Sequence, residues 1–401
     1  MPNTPLIQNR DIIVVGQQPW DVEIGSNCKN IAEEFAKHNR VLYVNAPLDR
    51  NTLRKQKTDP KIAKRLRIIQ GKEPSLVLIK ENLWNLYPDR MIESINWIGS
   101  QTLFEWLNRY NNQIFSGCIK KAVQQLGFSN IILFNDNDMF RSFHLPELLK
   151  ATTSVYYSRD YMLAVDYWKK HGEKMEPQLI AKSHVCVANS TYLANYCKKF
   201  NPHAYYVGQG CELSIFTHIE EGTPNDIQGI ATPIIGYVGA LQSLRLNIDT
   251  IAYIAESHPE WSVVLVGPED DEFKASRLHQ ISNIHFLGSK PAQALPAYIQ
   301  AFQVCINPQI VNQVTIGNYP RKIDEYLAVG KPVVATKTEA MHIFSDYTYL
   351  ADSKEEYVYL INKALTENNE VLAQQRKQFA LSHTWENSVA DIYQAILSVQ
   401  K

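Results

Sequence analysis

Eighteen residues near the carboxyl end, Tyr319 to Thr336 (YPRKIDEYLAVGKPVVAT), constrain this chain more than any other stretch. Pro320 suits the start of a helix, because its fixed φ fits the first turn and its missing N–H is not needed there. Ile323, Tyr326 and Leu327 recur at i, i+3 and i+4, an apolar helical face. Gly330 fits the left-handed residue that ends such a helix. Pro332 to Ala335 is a short apolar run suited to a strand covered on both faces. The segment therefore reads as loop, helix, glycine stop and buried strand.

The charges in that segment point to chemistry. Arg321 and Lys322 fall in the first helical turn, where the helix dipole disfavours cations. Two cations there predict an anion shared with the unpaired backbone N–H groups. Glu325 lies one turn further on, placed to accept hydrogen bonds from hydroxyls of whatever carries the anion. A phosphate beside a polyol describes a nucleotide sugar.

The rest of the chain repeats the α/β theme. Asp11–Gly16 (DIIVVG) reads as a first strand, a helix follows from about Cys28 to His38, and Arg40–Asn45 is the second strand. Continuous apolar runs in β-α-β order mark a parallel sheet. Further strands are expected at 75–79, 131–134, 154–157 and 185–188, with helices at 101–110, 119–126 and 176–182. The composition turns polar from Phe216 to Gln228, which reads as a linker. A second α/β unit then runs through strands at 234–238, 262–266, 284–287, 304–306 and 332–335, with helices at 248–257 and 296–301. A last helix spans about Trp385 to Val399.

A length of 401 residues argues for two domains, and 45% hydrophobic with 20% charged residues is ordinary for a globular protein. A net charge of −1 gives no polyanion-binding signature, so nucleic acid is excluded as a partner. Six cysteines (Cys28, Cys118, Cys186, Cys197, Cys211, Cys305) form no CxxC pair, which predicts reduced thiols in a cytoplasmic compartment. The first residues lack the basic-then-apolar build of a signal peptide, and no apolar run is long enough to span a membrane.

From Glu325 to Ala335, EYLAVGKPVVA resembles the donor-site helix of retaining glycosyltransferases of the GT-B fold, whose pattern is Glu-Ala-Met-Ala-x-Gly-x-Pro-Val-Val-Ala. The family carries a first glutamate eight residues earlier, usually in contact with the donor sugar; this chain has Gly317 there. In Ile235–Leu241 (IGYVGAL), Gly239 closes a strand where backbone must approach something closely, either a phosphate or a tight turn. The family follows this glycine with an arginine, here Ala240, and six residues on with a lysine, here Arg245. Arginine grips phosphate bidentately. Gly288-Ser289-Lys290-Pro291 resembles the loop that receives the base, and also fits a plain strand-to-helix connection. Val266-Gly267-Pro268 resembles a strand end lining the donor cleft.

The first half carries weaker signals. Gly25-Ser26 precedes a helix where the family has a Gly-Gly pair near the donor phosphate; Ser26 equally suits a simple N-cap. Trp20 fits either sugar stacking or core packing. Asn135-Asp136-Asn137-Asp138 follows a strand and reads as a solvated turn or an acceptor contact rather than a metal site. Asp160, after the strand at 154–157, is the candidate acid at the acceptor hydroxyl, with an Arg159–Asp160 surface pair as the alternative. His171 and His203 read as loop histidines. Residues 50–72 hold nine Lys or Arg against one acid, Asp59. That suits a mobile solvated loop or attraction to anionic lipid, with Trp84, Tyr87, Trp97 and Trp106 as interfacial anchors.

The resemblance implies two Rossmann-like domains, 1–215 for the acceptor and 229–384 for the donor, facing across a cleft, with helix 385–401 returning to the first. It implies transfer of a sugar from a nucleotide-diphosphate sugar to a glycan or lipid-linked acceptor, with retention and no metal or other cofactor, in cell-surface polysaccharide synthesis. Asp160, Arg245 and Lys322 would be catalytic; Gly25, Ser26, Gly239, Gly288, Asn318, Tyr319, Arg321 and Glu325 would bind the donor. A nucleotide-sugar epimerase of the same fold, or a non-catalytic nucleotide-sugar-binding subunit, fits the departures at Gly317 and Ala240. Peripheral membrane contact through residues 50–72 is expected.

Overall fold

The computed structural model of the protein describes residues 6–22, 26–217 and 222–400. The chain divides into two compact units, Met1–Gly210 with Trp385–Lys401, and Cys211–Thr384. The polar stretch from Phe216 to Gln228 is not where the chain changes units. The crossing falls at Gly210/Cys211, because Cys211, Leu213 and Phe216 are buried in the second unit's core. Glu220 and Glu221 of that stretch lie outside the described residues.

The first unit is built on eight strands: β1 (Asp11–Gly16), β2 (Arg40–Val44), β3 (Leu76–Lys80), β4 (Leu83–Leu86), β5 (Ile132–Asp136), β6 (Thr153–Ser158), β7 (Val185–Ala188) and β8 (Ala204–Tyr206). They are ordered β3-β4-β2-β1-β5-β6-β7-β8. Every neighbouring pair is parallel except the β3–β4 edge hairpin. Strand alternation sends β1 side chains to opposite faces. Ile12 and Val14 pack with Ile31 and Phe35 of the Asn27–Phe35 helix and with Ile392 and Ile396 of the last helix, Trp385–Val399. Ile13 and Val15 pack with Phe115 and Ile119 of the Gln101–Leu126 helix. Burial on both faces is why these strands read as unbroken apolar runs.

The second unit carries β9 (Ile234–Val238), β10 (Ser262–Val266), β11 (Ile284–Gly288), β12 (Val304–Asn307), β13 (Val333–Thr336) and β14 (Tyr349–Ala351). All pairs are parallel, in the order β11-β10-β9-β12-β13-β14. Counted from β9, this is the 3-2-1-4-5-6 order of a dinucleotide-binding sheet. The order reverses between β9 and β12, and a crevice opens there at the strands' carboxyl ends.

Several local expectations change. The helices expected at 101–110 and 119–126 are one helix of 26 residues. Its buried stripe of Phe104, Asn108, Phe115, Ile119 and Ala122 runs through Gly117. That burial outweighs the cost of about 1 kcal/mol for a helical glycine. The helix expected from Glu176 starts at Asp166 and passes Pro177. It buries His171, which is therefore no loop residue and stacks on Phe104 at 3.7 Å. The basic segment is no loose loop either: Asp49 and Asp59 cap helices Arg50–Lys55 and Pro60–Ile69 with their side chains. All six cysteines are free and buried. Among the described residues, no helix is long and apolar enough to cross a membrane.

Candidate functional site

The reversal point of the second sheet holds a cavity of about 440 Å³. Its walls come from the end of β9 (Tyr237, Val238) with Gly239 and Ala240, the turn Gln242–Leu246, the end of β12 (Asn307) with Gln309, and the segment Asn318–Lys322 with Glu325. Gly239, Arg245, Asn318, Tyr319, Arg321, Lys322 and Glu325, spread over 87 positions of sequence, thus share one wall lining.

Each wall has a local cause. Gly239 has φ 141°, a conformation that penalises any side chain, and a Cβ there would stand 3.0 Å from Lys322 Nζ and the Tyr237 hydroxyl. Gly267, at φ 153°, leaves the space the Gly239 carbonyl occupies; a Cβ on it would come within 1.9 Å of that oxygen. Arg245 is fixed by backbone, its N–H donating to Gln242 and its carbonyl accepting from Ile310 at 2.8 Å. Its exposed guanidinium makes no hydrogen bond or ion pair among the described residues.

The helix Arg321–Ala328 begins at Pro320, and no side chain caps it. Its first-turn N–H groups turn back onto backbone instead, Arg321 N–H donating to the Tyr319 carbonyl and Ile323 N–H to the Pro320 carbonyl. Lys322 Nζ donates to the Tyr237 hydroxyl and lies 4.2 Å from that ring's centroid. Tyr326, on the buried side, accepts from Val238 N–H at 2.8 Å and so couples the helix to the end of β9. Burial pushes the Glu325 carboxyl above its ordinary range, against the opposing pull of Arg321 and Lys322. Glu325 is half-buried and accepts no hydrogen bond among the described residues. The lining thus offers cations without ion pairs among the described residues and one available carboxylate.

One part of the site has no signal in the sequence. Asp324, fully buried, accepts from the Tyr319 hydroxyl (2.7 Å), His383 Nδ1 (2.6 Å) and Cys211 Sγ (3.2 Å). It pins the start of the helix and holds the Tyr319 hydroxyl in the core. Its partners His383 and Cys211 lie 59 and 113 residues away in sequence, beyond any periodicity. Tyr237, Asn307 and Gln309 were likewise unmarked.

The other candidates lie elsewhere. Gly288 ends β11 at φ 67° and does not line this cavity. Gly25 lies outside the described residues. The Ser26 hydroxyl accepts from Lys29 N–H and caps the Asn27–Phe35 helix. Trp20 packs edge-on to Tyr43 at 5.0 Å. The Asn135–Asp138 turn is buried, not solvated. Asp136 accepts from Arg159 Nε at 2.8 Å, and Arg159 Nη1 also donates to Asp160 at 2.8 Å. The pair expected at the surface is therefore a three-member chain reaching into the core. Burial raises the Asp136 carboxyl and Arg159 opposes it, while Asp136 in turn holds the guanidinium charged. Among the described residues, no three His, Cys, Asp or Glu converge to hold a metal ion.

Two parallel-sheet units with this arrangement define the chain as a protein of the GT-B glycosyltransferase fold. Solved structures bear this out across the whole chain. HepE of Anabaena in complex with UDP superposes with a TM-score of 0.63 at 15% identity, covering 98% of this chain and 100% of that one. Sucrose-phosphate synthase of Thermosynechococcus elongatus gives 0.61 at 14% identity, covering 98% and 100%. The model of the glycosyl transferases group 1 family matches residues 232–367, within the second unit. A relative, the "putative teichuronic acid biosynthesis glycosyltransferase TuaH" of Bacillus subtilis (strain 168), is 23% identical over 235 residues. The match covers 56% of this chain and 59% of TuaH.

Proposed function

We propose that this protein is a glycosyltransferase that moves a hexosyl group from a nucleotide-diphosphate sugar to a glycan or lipid-linked acceptor in cell-surface polysaccharide synthesis. Transfer proceeds with retention and without a metal ion. The observation that carries this reading is the second-unit cavity, where Arg245, Arg321 and Lys322 meet Glu325 at an uncapped helix start. HepE structures that contain UDP and UDP-glucose support uracil as the base, and the TuaH resemblance supports a polysaccharide product.

In this reading Glu325 accepts hydrogen bonds from the ribose hydroxyls. Arg245, Arg321 and Lys322 hold the diphosphate beside Asn318 and Tyr319 of the same lining, with Gly239 admitting it to the backbone. The same groups neutralise charge that develops as the nucleoside diphosphate departs, where preorganised electrostatics contribute most. The bond from the anomeric carbon to the phosphate oxygen breaks, and a bond from the acceptor oxygen to that carbon forms on the same face. The acceptor proton passes to the departing phosphate. Asp160, in the first unit, is the group assigned to the acceptor hydroxyl. Gly288 contributes backbone to the base. With a cationic clamp on the diphosphate, a divalent ion has no remaining role.

A thermal-shift panel of UDP, GDP, ADP, CMP and dTDP, each in EDTA and in magnesium, tests this. A ligand that binds only the native state raises Tm, by an amount equivalent to about 2.7 kcal/mol at 100 times its Kd. UDP should stabilise in EDTA as well as in magnesium. Stabilisation only with magnesium removes the metal-free mechanism, and no shift with any nucleotide removes the donor site.

A further inference from the structure

Two of the four aromatic anchors expected beside the basic segment are in the wrong place for that role. Tyr87 is buried and Trp84 packs edge-on to Phe128 at 6.0 Å. The other two are strongly exposed, Trp97 at 79% and Trp106 at 67%. Trp106 does not stand alone. Leu103, Trp106 and Tyr110 follow i, i+3, i+7 spacing on the Gln101–Leu126 helix, and all three are exposed. This stripe lies opposite the buried Phe104, Asn108, Asn111 and Phe115 of the same helix. Isolated exposed apolar residues are ordinary, but a stripe that includes a tryptophan is not.

Hydrogen bonds tie Trp97 and a basic element to this stripe. Trp97 lies in the turn leading into the helix, its indole N–H donating to the Ser94 carbonyl at 2.8 Å. The Lys170 ammonium donates to the Asn96 and Trp97 carbonyls, and Asn96 donates to the Tyr167 carbonyl. Tyr167 is itself 55% exposed. Asn111 of the helix exchanges hydrogen bonds with both backbone groups of Glu93. Arg50 pairs with Glu93, and Asn51 N–H donates to the Ser94 hydroxyl. The helix Arg50–Lys55 is thereby docked on the segment that carries Trp97. Its Arg54 and Lys55 are exposed and make no ion pair among the described residues.

We propose that this face of the first unit docks on an anionic lipid bilayer. Trp97, Trp106, Tyr110 and Tyr167 sit at headgroup level, and the Arg50–Lys55 helix faces the lipid phosphates. The charge complementarity chooses the occupant. Tryptophan and tyrosine bury an apolar body while keeping a polar edge hydrated, which suits the bilayer interface. The flanking segment 50–72 carries nine basic residues against one acid, Asp59, which caps a helix; Arg50, Arg65 and Arg67 pair with Glu93, Asp21 and Glu73, and the other six make no ion pair among the described residues. Such a segment is attracted to a negatively charged leaflet. The proposal is independent of the donor site, which lies in the other unit.

Co-sedimentation of the full chain with vesicles tests it, comparing pure phosphatidylcholine with a phosphatidylcholine–phosphatidylglycerol mixture at low and high salt. Partitioning should be at least about tenfold stronger on the anionic vesicles and should fall with salt. W97S/W106S should abolish it, and R54E/K55E should lower it at least about tenfold, with Tm and the UDP-induced shift unchanged in both. Equal partitioning on neutral and anionic vesicles, or unaltered binding by W97S/W106S, overturns the proposal. So does a change of sedimentation coefficient in W97S/W106S without any vesicle binding, which would make the face a contact between two copies.

Discussion

Each unit reverses its strand order once, at β1/β5 in the first and at β9/β12 in the second. The two reversal points are furnished in opposite ways. At the first, Asp136 ends β5 beside Gly16 of β1 and is consumed internally by Arg159, while Arg141 consumes Asp138. At the second, Arg245, Arg321 and Glu325 line a cavity without an ion pair among the described residues. Similar sheets place charge at similar points, but only one leaves it unspent. Charges paired inside a unit serve the fold. Charges held by rigid backbone and left unpaired cost stability unless a ligand completes them.

The comparison breaks most visibly if the first reversal point is damaged. Arg159→Ala leaves Asp136 buried at 0% exposure without its cation. Loss of one partner of a buried pair should cost about 3–5 kcal/mol in urea denaturation. Burial already raises the Asp136 carboxyl. The variant's folded state therefore favours the protonated form, so its deficit should be largest at neutral pH and shrink as the medium is acidified. A deficit independent of pH would show that Asp136 is not the group left stranded.

At the second reversal point the same kind of change should act on ligand and not on fold. Arg245→Ala and Arg321→Ala should each weaken UDP binding by about 10- to 100-fold, the worth of a charge-assisted hydrogen bond. Urea midpoints of the ligand-free variants should match the parent, because neither guanidinium has a partner to lose. Gly239→Ala stands between the two cases. Its φ of 141° and the 3.0 Å approach to Lys322 and Tyr237 should cost about 1–3 kcal/mol of stability, with UDP binding reduced as well.

The smallest effect sharpens the comparison most. A carboxyl raised by burial prefers its neutral form in the folded state, so above the ordinary glutamate range Glu325 lowers stability, and in acid that cost disappears. Glu325→Gln should raise the ligand-free Tm by about 1–3 °C at neutral pH, with no gain in acid, while weakening UDP. A stabilised variant that still binds UDP as the parent does would remove Glu325 from the ribose.

Much of this was legible in the chain. The strands at 11–16, 185–188, 234–238 and 262–266 and the helix at 248–257 follow from sequence to the residue, because each is a strong local run. Seven of the eleven residues singled out from sequence share the cavity. The failures were of two kinds. Gly117 and Pro177 are local stop signals that tertiary burial overrode. The polar run 135–138 looked solvated because its partners, Arg159 and Arg141, give no pattern that a sequence scan can pair.

By itself, then, the sequence determined the α/β class, the two sheets and the cation-and-carboxylate helix start, because periodicity, glycine, proline and helix-end charge act within a few residues of themselves. Only the tertiary structure decided which charges are spent and which are free. Asp324 and Glu325 are adjacent acids on one helix; one is locked to Tyr319, His383 and Cys211, the other opens to the cavity. Successive helical residues point about 100° apart. What each then meets is set by segments distant in sequence, which no local pattern encodes.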